Sequence, residues 1–480
     1  MNMKKLLCCL TAAGALSLAT AVSARNHTEY LPTNTEWLEH ASYLARYWMH
    51  PDAKGIPEGN FPTWRCNDGT LRNGKACPDE TDPGDLLLLS NLDYVRMQSR
   101  QTYTYGALFH VTGDPEALRL HKAGVKFLLE KARDPEGGFN SLMFKGEPYI
   151  SDNNEITNSR LARTSQDQAY ALVGLAMNAY LTHDPEVIKV IVDTQKYIFD
   201  TYYDKDQGYI RWCFENSYFN RKDQIELVAI LDQLYSYMLL TWRLVPEAEQ
   251  ARWTSDIKRA VADLNKTFYN SEGNRYWGCT QDKSCFNTDT GRHQDNGHRV
   301  KTFWLQYLVA NTLQDEKLKD FAKRGIVQTL KGALVHNKDG WFENDQLNEA
   351  SWWVYDLLDI SALTLALTGD YEIPDTFHVW LNEYTDKEYG DIKNLGLKTH
   401  FWRNGFHNAE HLLIGMLLSN EIRYKQCTTG QCRKNNETTL YFAPIRKSDK
   451  NFFPYLFKGN VKSSSEENGV MKVKFADIKL

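Results

Sequence analysis

Two histidines sit where an imidazole could do chemistry: His298 follows Asn296-Gly297, and His407 stands between Gly405-Phe406 and Asn408. Imidazole titrates near pH 6.5, so each side chain can take up or release a proton at working pH. Arg100, in the run Gln98-Ser99-Arg100-Gln101, is a further polar group of the same kind of segment. Asp167 is a sugar-hydroxyl ligand or a helix cap. Trp304, Trp352, Trp353 and Trp402 crowd the same segments, and sugar rings stack on such faces. Together the aromatic and polar residues look like a saccharide site.

What must position them is read from an internal repeat. Thr112-Gly-Asp-Pro-Glu116 returns as Thr182-His-Asp-Pro-Glu186 and as Thr368-Gly-Asp-Tyr-Glu372, with weaker copies at Pro246-Glu247 and Asp315-Glu316. In each, Asp caps and Pro-Glu starts a helix after an apolar helix has ended. About twenty residues on, Asp/Asn-Gly turns close the second helix, at Asp134 to Gly138, Asp204 to Gly208, Asn270 to Gly273 and Asn337 to Gly340. The unit is a helical hairpin.

First helices are predicted near 90–111, 166–181, 224–243, 298–312, 350–367 and 406–420, apolar on most of their surface. Second helices, near 116–132, 186–203, 247–269, 316–332 and 372–385, are amphipathic, and one near 36–48 completes that set. Apolar helices belong inside and amphipathic ones outside, so the fold class is all-α, an (α/α)6 barrel whose funnel opens where the inner helices begin. Arg100, Asp167, His298 and His407 then fall at similar heights, within about 4.5 Å at 1.5 Å per residue. After about Gln426, Thr439–Phe442 and Val470–Phe475 alternate like short strands. The domains are read as 1–24, 25–425 for the barrel and 426–480 for a β-containing appendage.

Residues 1–24 read as a signal peptide, with Lys4 and Lys5 before the apolar run Leu6 to Leu18 and small residues up to Ala24. The protein is therefore expected to be secreted or periplasmic, with no membrane anchor. Removing the two lysines takes the net charge from −5 to −7 with no basic stripe, which argues against nucleic acid. Cys66 with Cys77, Cys279 with Cys285, and Cys427 with Cys432 are expected to form local disulfides, and Cys213 reads as a buried thiol. No cofactor is implied, since no phosphate-binding glycine loop stands out. His293 and His298, or His407 and His411, lack a third ligand, so no metal is expected. A homodimer is left open.

Five segments in order resemble the N-acylglucosamine 2-epimerase and cellobiose 2-epimerase family. They are Gln98–Tyr103 with Val111–Glu116, Asp167-Gln-Ala-Tyr170, Asn296-Gly-His298 with Trp304, Trp352-Trp353, and Gly405-Phe-His-Asn408. The resemblance runs from about residue 90 to 420 and implies that a reducing sugar is opened and loses the proton beside its carbonyl. One histidine takes the proton and another returns one. It assigns His298 and His407 to these roles and Arg100 to the enediolate oxygen.

The chain also departs from the family pattern. Glu226 stands where a third histidine is usual, Lys301 where an acidic residue follows the Gly-His histidine, and Glu410 where an arginine follows the last one. Tyr355 and Leu357 replace a Gln and a Glu after the double tryptophan. Lys301 and Glu410 are expected to meet. The changed sugar-contacting shell keeps two alternatives open: a secreted polysaccharide lyase or unsaturated uronyl hydrolase on an α/α toroid, and a non-catalytic carbohydrate-binding barrel.

Overall fold

The computed structural model describes residues 28–72, 76–78, 91–149, 163–213, 225–278, 293–335, 340–344, 350–393, 398, 402–426, 437–446, 448–449 and 451–480. The expected leader, Cys279, Cys285, Cys427, Cys432 and most of the Asn337 turn lie outside them. In chain order the helices are α1 (Asn34–Trp48), α2 (Val95–Thr112), α3 (Pro115–Phe127), α4 (Ser165–Ala171), α5 (Val173–Thr182), α6 (Pro185–Tyr202) and α7 (Leu227–Gln233). They continue with α8 (Leu239–Thr241), α9 (Glu247–Thr267), α10 (Asn296–Leu313), α11 (Glu316–Ala333), α12 (Trp352–Leu367) and α13 (Phe406–Lys425).

Burial separates two sets. In α2 every residue from Val95 to Val111 is buried, and α12 is buried throughout from Val354 to Leu367. In α11 only Ala322, Gly325, Ile326, Thr329, Leu330 and Ala333 are buried, one stripe at helical spacing. The inner elements are therefore α2, α4 with α5, α7 with α8, α10, α12 and α13. A π turn at Leu234–Met238 joins α7 to α8. Helix α13 packs back on α2 and closes the ring.

The repeated phrase acts as expected at two of its full copies. Asp114 accepts from the Glu116 N–H at 2.8 Å and Asp184 from the Glu186 N–H at 2.9 Å, each with Pro at the first helical position. The third copy does not start a helix. Asp370 instead accepts from the Thr368 hydroxyl at 2.7 Å and pairs with Lys323 at 3.2 Å. Pro374 disfavours helical backbone before it, so the sixth outer element shrinks from the expected 372–385 to a π turn at Val379–Tyr384.

The last segment forms an antiparallel sheet of three strands, with Val470–Lys479 in the centre between Thr438–Phe442 and Lys458–Glu467. It seals the end of the barrel where inner helices finish. Backbone N–H groups of Ala443 and Ile445 donate to the carbonyls of Leu181 and Thr182 at 2.9 and 2.8 Å. His110 Nδ1 meets the Tyr441 carbonyl at 2.7 Å, and the Tyr180 hydroxyl donates to the Phe453 carbonyl at 2.6 Å. No described helix is long and apolar enough to cross a membrane.

Candidate active site

His298 and His407 enter from the first turns of α10 and α13, at the end where inner helices begin. Both border the indole of Trp353, with ring centroids 4.7 and 6.1 Å away. Gly297 makes the first approach possible, because a Cβ there would come within 2.7 Å of the Trp353 ring. Each imidazole is held at Nδ1 by an aspartate, Asp295 at 2.7 Å for His298 and Asp356 at 3.1 Å for His407. Neither Nε2 has a hydrogen-bond partner among the described residues. A ring anchored at Nδ1 with Nε2 open is set to exchange protons through Nε2.

The two carboxylates differ. Asp295 is the N-cap of α10 and accepts the His298 N–H at 2.8 Å as well as facing the ring. Burial works against its charge, but His298 outweighs it and holds Asp295 down to about 2. At Asp356 burial pushes the carboxyl well above the usual range, and Glu410 and Asp359 add to this. Burial also pushes the His407 imidazole well below its ordinary value, with Arg100 and Lys301 acting the same way.

Glu410 lies one helical turn beyond His407, but it does not pair with Lys301 as expected. Lys301 Nζ binds Asp232 on α7 at 2.9 Å, and Gln166 donates to the other Asp232 oxygen at 2.7 Å. Glu410 instead accepts from two phenols, Tyr235 at Oε2 and Tyr455 at Oε1, the latter at 2.9 Å. The reason lies between them: the Tyr235 ring occupies the space, with Lys301 Nζ 5.0 Å from its centroid. Burial raises Glu410 to about 7 against these two hydrogen bonds and Lys301.

Asp167 is bound by Arg96 at 2.9 Å, and it is Arg96, on the first turn of α2, that stands level with it. Arg100, a turn further in, lies over the Tyr170 ring at 3.6 Å, and among the described residues no carboxylate lies within ion-pair distance of it. Arg96 lies over two rings, Tyr170 at 5.0 Å and Trp402 at 4.6 Å, and Trp352 is covered by Arg403 at 4.5 Å. Glu226 is wholly buried at the start of α7 and faces His293 Nε2 at 3.3 Å. Trp304 does not belong to the opening. It is fully buried and donates to Thr364 at 2.9 Å, because its position turns it from the funnel into the α10–α12 contact. Tyr355 is likewise core, donating to the Thr376 carbonyl at 2.7 Å.

Asp295, Asp356, Asp232, Tyr235, Arg96 and Tyr455 were not singled out from sequence. Three had a signal. Asp232 and Asp356 are carboxylates in otherwise apolar helices, which must be partnered when buried. Asp295 precedes His298 by three residues, the spacing of an N-cap that also reaches a side chain.

Asp356, His407 and Glu410 offer ligand atoms within 4.8 Å of one another, and among the described residues they are the one group so spaced. Both Glu410 oxygens accept from phenols and His407 Nδ1 is hydrogen-bonded, whereas Asp356 Oδ1 has no hydrogen-bond partner among the described residues.

No family model matches the chain, and no curated protein does. Solved structures show the same fold. Cellobiose 2-epimerase from Spirochaeta thermophila superposes with a TM-score of 0.61 at 14% identity, covering 81% of this chain and 98% of its own. A D-mannose isomerase gives 0.61 at 13%, covering 80% and 97%. A family 76 mannosidase from Bacteroides thetaiotaomicron gives 0.52 at 12%, covering 81% and 99%. These likenesses establish an (α/α)6 barrel.

Proposed function

We propose that the protein is a carbohydrate epimerase or isomerase that removes and returns the proton beside the carbonyl of a reducing sugar. The observation that carries this is the pair of imidazoles on one indole, each held at Nδ1 by its own aspartate with Nε2 open. His298 takes the proton through Nε2, with Asp295 holding the ring at Nδ1. His407 serves the other face or the neighbouring carbon. Arg100 supplies the fixed charge for the enediolate oxygen. Trp353 gives the sugar a face to lie on, with Trp352 and Trp402 at the rim; Asp167, Glu226, Lys301 and Glu410 shape the polar wall.

Epimerase and isomerase structures superpose better than family 76 hydrolases, which supports this chemistry over hydrolysis. The Cys66–Cys77 disulfide suits an exported protein, as does the N-terminal apolar run. The test is incubation with a panel of reducing aldoses and ketoses in deuterated water. Label at the carbon beside the carbonyl, together with a new epimer or ketose, is expected. An unlabelled panel, or a new ultraviolet-absorbing double bond from polyuronate, would replace this reading with binding or with lyase chemistry.

A further inference from the structure

Behind His407 runs a continuous hydrogen-bonded chain that passes through a residue outside the barrel helices and ends on α2. The Tyr235 hydroxyl lies 3.2 Å from His407 Nδ1 and donates to Glu410 Oε2. Glu410 Oε1 accepts from Tyr455 at 2.9 Å, and Tyr455 accepts from the Tyr103 hydroxyl at 2.8 Å. Tyr455 belongs to the C-terminal segment, and its place is fixed: its N–H donates to the Tyr180 hydroxyl at 2.7 Å, and its backbone leads from Phe453, whose carbonyl Tyr180 binds. All the linking side chains are buried. A segment that only capped the barrel floor would need apolar contacts, not a phenol on a carboxylate.

We propose that the C-terminal segment is part of the active site, with Tyr455 a positioning residue that acts through Glu410 and Tyr235 to set which nitrogen of His407 carries the proton. The polarity of the chain gives the reason. With Glu410 ionised, the hydrogens of Tyr235 and Tyr455 point at its oxygens. The lone pair of Tyr235 then faces Nδ1, so the proton sits on Nδ1 and Nε2 is the base. A proton on Glu410 allows the chain to reverse, with Tyr235 donating to Nδ1 and the proton moving to Nε2. Asp356, also at Nδ1, favours the first form when ionised. No net proton is gained or lost in the reversal beyond the one on Glu410.

The groups facing Glu410 are Tyr235 beyond α7, Tyr455 from the C-terminal segment, Tyr103 behind it, Lys301 from α10, Asp356 from α12 and His407 on its own helix. Losing the Tyr455 hydroxyl removes one of the two phenol donors from the ionised carboxylate and leaves Tyr235 in place. Glu410 then keeps its proton to higher pH.

The assignment of His407 to turnover rests on the proposed isomerase reading, so the test has a readout independent of turnover. Imidazole nitrogen NMR on the whole protein reports the His407 tautomer across pH, in wild type, Tyr455→Phe, Tyr103→Phe and Glu410→Gln. In Tyr455→Phe the change from the Nδ1–H to the Nε2–H form should move up by about half to one pH unit, the worth of one hydrogen bond. Tyr103→Phe, which leaves the Tyr455–Glu410 bond intact, should move it less. Glu410→Gln should abolish the transition, and reads the chain even if Tyr455→Phe does not fold. Where wild type turns over a sugar, the acid limb of kcat should move with the tautomer while KM stays within about two-fold. Absence of turnover in wild type would remove the isomerase reading and leave the tautomer result standing. A His407 transition unchanged in both Tyr455→Phe and Glu410→Gln would overturn the proposal, as would loss of melting temperature with no change in either pH profile.

Discussion

Lys301 Nζ lies 2.9 Å from Asp232 Oδ1 with 3% of one side chain and 1% of the other exposed. Burial works against both charges, yet each partner outweighs it: Lys301 is raised, and Asp232 is held down to about 2. Removing one partner strands the other. Lys301→Met should cost about 3–5 kcal/mol in denaturant unfolding, and adding Asp232→Leu should recover much of it. The Asp232 contribution is present above about pH 3.9 and lost as pH falls towards about 2, because its folded value is depressed. Additive losses in the double variant would remove the pair from the account.

Trp304 and Trp353 should behave differently. Trp304 is fully buried between α10 and α12, so Trp304→Ala should cost about 3–5 kcal/mol of stability. Trp353 is only partly buried and borders both histidines. Trp353→Ala should leave the melting temperature nearly in place and weaken sugar binding by about ten-fold or more, as calorimetry would report. Equal loss of stability in both variants would show that Trp353 is core.

How much of this was legible follows from what each signal depends on. The barrel was, because all-round apolar helices such as Val354–Leu367 and Asp-Pro-Glu starts such as Asp114–Glu116 are local patterns. The shared level of His298 and His407 followed from counting back along the inner helices at a fixed rise per residue. The partners were not legible. Whether Lys301 turns to Asp232 or Glu410 is decided by the Tyr235 ring, which arrives from another helix and carries no charge pattern to announce it. Trp304 was misread for a related reason: helical rotation, a matter of a hundred degrees per residue, separates funnel from core in a helix that is apolar all round. Tyr455 sits in a segment read as an appendage, and only tertiary contact brings it to Glu410.

Glu410 predicts an unusual pH dependence of stability. Its folded value is raised to about 7 from an unfolded value near 4.3, so the folded state binds the proton more tightly. Its contribution is therefore fully present below about pH 4.3 and lost as pH rises through about 7. Glu410→Gln removes this titration. The stability of wild type relative to the variant should fall between pH 4.5 and 7.5, measured by urea unfolding. A difference that stays flat across that range would mean that Glu410 is ionised throughout.

The division between the two histidines can be separated by isotope exchange. His298 faces an ionised Asp295, whereas His407 faces Asp356, whose carboxyl burial holds well above its usual range. One imidazole should serve each face of a planar enediolate. Replacing either with Asn should lower kcat by about 10²–10⁴ while leaving sugar affinity within a few-fold, since neither supplies the stacking surface. The remaining histidine can still remove and return one proton. Deuterium should then wash into substrate in one single variant, in one direction of reaction, without product forming. His298→Asn should suffer more at low sugar concentration, because its partner aspartate is left ionised and without a counter-charge in the opening. A mechanism with one base would lose exchange and turnover together. Full turnover in both Asn variants would take His298 and His407 out of the chemistry altogether.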